Sequence, residues 1–69
     1  MSKQQEIEDL QQRLLDSRQE FAFCLQQRAS YGTSNLPYEI ANRIHELREQ
    51  IQSIKQALLM LGVSVDDEQ

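Results

Sequence analysis

Cys24 and His45 are the only cysteine and the only histidine in this chain of 69 residues. They are the one thiol and imidazole the sequence offers for nucleophilic chemistry. Such chemistry needs the imidazole beside the thiol, a third group to orient the imidazole, and donors for a developing oxyanion. No Gly-rich loop is present to supply those donors, and no third group is evident. Metal binding fares no better, because His45 has no second histidine or cysteine cluster to join it on an ion. The simpler readings are a solvated His45 and a Cys24 that packs as a small hydrophobe. The chain is therefore expected to be no enzyme and to hold no metal or cofactor. A lone cysteine excludes an internal disulfide and fits a reducing compartment.

The carboxylates fall among bases at helical spacing. Asp9–Arg13 and Glu39–Arg43 are i,i+4 pairs, each adding about 0.2–0.5 kcal/mol to a solvated helix face. Asp66, Asp67 and Glu68 form an acidic end, a solubilising or linking segment rather than a catalytic one. They also explain most of the charge. The whole chain carries −4, whereas residues 1–61 hold eight acids and seven bases and so only −1. Nucleic-acid binding calls for a basic footprint that replaces counterions, and none is visible in the sequence. An anionic membrane surface is disfavoured on the same ground. The apolar run Ala57 to Leu61, which no other exceeds, is far short of a membrane span, and the first residues are polar, unlike a signal peptide. These features point to a cytoplasmic protein.

The elements that would position any site are helical. Ile40, Ile44, Leu47, Ile51, Ile54, Leu58 and Leu61 recur with gaps of 4, 3, 4, 3, 4 and 3, which places them on one stripe of a helix. Ile7, Leu10, Leu14, Ser17, Phe21 and Cys24 form a second stripe with one polar member. Ser2 suits the N-cap of the first helix. Turn-forming residues cluster in the interior only over residues 30–35, where Gly32 can end a helix and Pro37 fits the first turn of the next. The spacing predicts helices over about residues 3–29 and 37–61, a loop over 30–36, and an acidic flexible tail over 63–69. The fold class is all-α, an antiparallel two-helix hairpin of coiled-coil type that assembles into a helical bundle. Pairing about the loop sets Cys24 near Ile44, Phe21 near Leu47, Ser17 near Ile51, Leu14 near Ile54, Leu10 near Leu58 and Ile7 near Leu61. Tyr31, Leu36 and Tyr38 are expected to close the loop end or to serve as contact residues.

Apolar residues beside the stripes carry the functional argument. Leu15, Ala22, Phe23, Leu59 and Met60 fall off both stripes, and a bare hairpin leaves them wet. Contiguous exposed apolar surface marks an interaction site. The expected partners are proteins: a second copy, giving a homo-oligomer, or a related helical domain. No nucleic-acid or membrane partner is expected.

One further pattern is Tyr31-Gly32, Leu36-Pro37, Ile40, Ile44, Leu47-Arg48, Ile51, Ile54-Lys55, Leu58 and Gly62-Val63. It resembles the small effector-associated and death-like helical adaptor domains of bacterial conflict systems, over roughly residues 7–63. That resemblance implies a non-enzymatic adaptor or oligomerisation module that clusters or recruits a linked effector in bacterial immunity or cell death, and it transfers no catalytic residue. The alternatives are a structural coiled-coil dimerisation subunit and a small regulator that binds an enzyme.

Overall fold

A computed structural model describes residues 2–32 and 35–65. It contains two α-helices, α1 (Lys3–Tyr31) and α2 (Tyr38–Met60), packed against each other as a hairpin. The longest dimension is 47 Å, close to the roughly 43 Å that 29 helical residues span.

Local chemistry sets each boundary. The Ser2 hydroxyl accepts the Gln5 N–H at 3.2 Å, which satisfies one of the free donors of the first turn. At the other end α1 runs through Ser30 and Tyr31, two residues beyond the position expected from the turn-forming cluster. The Ser30 hydroxyl donates to the Gln27 carbonyl at 3.0 Å, so this residue is accommodated inside the helix. Gly32 then ends it, its N–H on the Arg28 carbonyl at 3.2 Å. Its φ of 78° and ψ of −168° form a combination that is essentially restricted to glycine. Pro37 stands one residue before α2, not within its first turn. It is extended, with φ −60° and ψ 142°, and its carbonyl accepts from Ile40 and Ala41.

The end of α2 differs from expectation. The sequence reads as a flexible tail from residue 63, but residues 63–65 fold back. Gly62 takes φ 86°, its N–H donates to the Leu59 carbonyl at 2.9 Å, and the Val63 N–H donates to the Leu58 carbonyl at 2.9 Å. This is the paired 5→2 and 6→1 bonding of a Schellman motif, which brings an apolar residue after the glycine onto the last turn. Val63 and Val65 accordingly pack against Leu14, Ile54 and Leu58. Asp66, Asp67 and Glu68 lie outside the described residues.

The core follows the two stripes in the expected register. One cluster holds Leu14, Ile54 and Leu58, with Ile7, Leu10 and Ile51 against it. The other holds Cys24, Ile44 and Leu47, with Phe21, Leu25 and Ile40 against it. Between them in sequence sits Ser17, only 4% exposed, whose hydroxyl accepts the Gln50 side-chain N–H at 3.1 Å. A buried hydroxyl is tolerated because it is hydrogen-bonded, and the pair ties α1 to α2 at one level.

Candidate protein-interaction surface

The thiol and the imidazole stand in different surroundings. Cys24 is buried in the apolar cluster with Ile44 and Leu47. His45 is exposed, its Nε2 3.4 Å from a Glu49 carboxylate oxygen one turn along α2. The thiol is buried in the seam and the imidazole faces solvent. Among the described residues no group of three or more His, Cys, Asp or Glu side chains is arranged to hold a metal ion. No helix among them is long and apolar enough to cross a membrane.

Of the two expected i,i+4 ion pairs, Asp9–Arg13 forms at 3.4 Å. Arg43 does not turn to Glu39. Its Nε reaches across to Glu20 on α1 at 2.7 Å, and its Nη1 lies 3.3 Å from Glu46. Helical spacing could not reveal this, because Glu20 is brought to Arg43 by the hairpin and not by a turn of one helix. The hydrogen bond from Arg43 holds the Glu20 carboxyl below its ordinary range, against the opposing effect of desolvation. Because the folded value is the depressed one, the pair's contribution to stability is present above the unfolded carboxylate's pKa. It is lost as pH falls through the lower, folded one. Both side chains are over two-fifths exposed, so solvent screening keeps the effect small. In Arg43→Met the Glu20 carboxyl is expected to titrate back toward the ordinary range, read by carboxyl NMR shifts against pH. An unmoved midpoint would mean that Arg43 does not set it.

All five residues singled out as interface candidates are exposed: Leu15, Ala22, Phe23, Leu59 and Met60. They do not make one patch. Leu15 and Ala22 are seven residues apart and share a stripe of α1. Leu59 lies four residues beyond Lys55 on the corresponding side of α2. Phe23 and Met60 each lie one residue further along, about 100° round their helices, and face elsewhere. Leu59 and Met60, the latter 89% exposed, stand in the last turn of α2 at the open end of the hairpin. The tyrosines do not close the loop end, since Tyr31 is about half exposed and Tyr38 77% exposed. Leu36 alone is half-buried there.

Between the helices, on the side that carries Ala22, runs a groove of about 460 Å³. From α1 it is lined by Arg18, Phe21, Ala22 and Leu25. From α2 it is lined by Arg48, Ile51, Gln52 and Lys55. Arg48 also lies over the Phe21 ring, 5.6 Å from its centroid, close enough for a cation–π attraction. Arg18 also lines a second depression, formed with Leu15, Val63 and Val65. The sequence, read for net charge, shows mixed signs. Among the described residues three bases and no acid line the groove. The Glu20–Arg43–Glu46 cluster lies about 200° round each helix from Arg18 and Arg48.

No family model matches the chain, and no curated protein or solved structure is significantly similar to it.

Proposed function

We propose that this hairpin is a non-enzymatic protein–protein interaction module, one that joins copies of itself and recruits or clusters a linked effector. The observation that supports this reading most is the apolar surface left over once the seam is closed. Leu15, Phe23, Leu59 and Met60 all remain more than half exposed, while the buried apolar core amounts to Leu14, Cys24, Ile44, Leu47, Ile54 and Leu58. So small a core is marginal alone, and burying exposed leucine, methionine and phenylalanine between chains adds to it. Leu15 and Leu59 on one side of the hairpin, and Met60 on another, are the residues assigned to contacts between chains. The setting in bacterial signalling or defence rests only on the resemblance of residues 7–63 to adaptor domains.

Light scattering over a concentration series tests the reading. The weight-average mass is expected to rise above that of the monomer as concentration increases. A monomeric mass over the whole series would overturn self-association.

A further inference from the structure

The seam holds two apolar clusters with a polar level between them. Leu14, Ile54 and Leu58 form one cluster, Cys24, Ile44 and Leu47 the other, and the two share no member. Between them stands Ser17, 4% exposed, its hydroxyl on the Gln50 side chain at 3.1 Å. We propose that this level divides the hairpin into two halves that open separately, the half at the chain ends before the half at the loop.

A two-helix hairpin is close to a ladder. Each seam side chain meets its own level and the next, so the halves are coupled through the level that separates them, as neighbours are in a stack of repeats. At Ser17 that coupling is weak. A neutral hydrogen bond replaces bonds to water and adds little net free energy, and Gln50 is exposed, so water takes its place when the level opens. Phe21 and Ile51, on either side of this level, are only partly buried and line the open groove. The halves also differ in what closes them. The loop half is tied by the short connection from α1 to α2, which lowers the entropy cost of bringing its levels together. It carries in addition the Arg43–Glu20 pair and the Arg48 side chain over Phe21, both of which cross from α2 to α1. The other half holds the start of α1 and the end of α2, where chains fray, and is closed by the fold-back of Val63 and Val65 onto Leu14, Ile54 and Leu58. Opening it releases those two valines and parts Leu14 from Ile54 and Leu58, while Cys24, Ile44 and Leu47 stay packed. None of this depends on what the hairpin binds.

Native-state hydrogen exchange of the full chain tests the proposal, read by NMR at concentrations where the mass is monomeric. The reporters are the backbone N–H groups of Leu14, Ile54 and Leu58 in one half and of Cys24, Ile44 and Leu47 in the other. The first three should exchange faster, and their rates should rise less steeply with urea, because a partial opening exposes less surface than global unfolding. Ile44→Val should speed exchange in the loop half about fivefold and leave the other half unchanged, because Ile44 stays packed when only the chain-end half opens. Ile54→Val should speed all six, since both openings lose the contacts of Ile54. Ser17→Leu, with helicity checked by circular dichroism, should bring the two sets of rates together.

An Ile44→Val variant in which all six N–H groups speed up equally would mean that the hairpin opens as one unit, and the proposal would be wrong. A folded Ser17→Leu hairpin whose two sets stay as far apart as in the parent would place the break elsewhere and overturn it too. If Ser17→Leu does not fold, the two valine variants decide the matter by themselves.

Discussion

Leu47→Ala and Leu58→Ala are each expected to lower the unfolding free energy by about 2–5 kcal/mol. Both side chains are 0% exposed, and each anchors a different core cluster. A chain of 69 residues has a total stability of about 3–10 kcal/mol at the usual value per residue. Either truncation therefore removes much of it. Ile51→Ala should cost less, although the heptad stripe treats Ile51 as their equal, because Ile51 is only partly buried at the edge of the groove. Thermal and urea unfolding followed by circular dichroism would give the ranking. A loss at Ile51 as large as at Leu47 would contradict the burial pattern.

The second large effect concerns association. Leu15→Lys combined with Leu59→Lys and Met60→Lys is expected to keep the hairpin monomeric at concentrations where the unsubstituted chain associates. A charge at these positions costs little in the monomer, where all three face water; surface changes of this kind stay within about 0.5 kcal/mol each. In an interface the same charge is desolvated without a partner, which is costly. Lysine is chosen in α2 because residues 59 and 60 fall in its last turn, where a cation suits the helix dipole. That turn has no basic residue of its own. Sedimentation velocity reads the outcome. A triple variant that associates as the parent does would remove these residues from the interface.

Much of the fold was legible because two stripes of similar length, each with alternating gaps of three and four, can bury one another across a short loop. The gaps and the loop position together set Leu14 with Ile54, and Cys24 with Ile44, in the same clusters. Even the polar member, Ser17, fell on the stripe. Its partner Gln50 could not be foreseen, because a glutamine beside the seam reaches a given level only once both helices are in place. The return of Val63 and Val65 was missed for a related reason. Gly62 signalled the helix end, but the valines among polar residues gave no periodicity to follow. The signal that could have found them was the apolar residue directly after a C′ glycine, which the Schellman motif places on the last turn. Surface chemistry was least legible. Net charge averages over all faces, whereas Arg18, Arg48 and Lys55 meet on one side only because two separate helices present it. Helical spacing also paired Arg43 with Glu39, and the hairpin supplied Glu20 instead.

The central claim is that the seam is spent within one chain and that the residues it leaves outside make the contacts between chains. Methyl NMR spectra recorded from dilute to concentrated protein test this most directly. The methyl signals of Leu15, Leu59 and Met60 are expected to shift or broaden with concentration, while those of Leu47 and Leu58 stay in place. Concentration-dependent shifts at Leu47 and Leu58 would mean that the seam itself is exchanged between chains, and the account would be wrong.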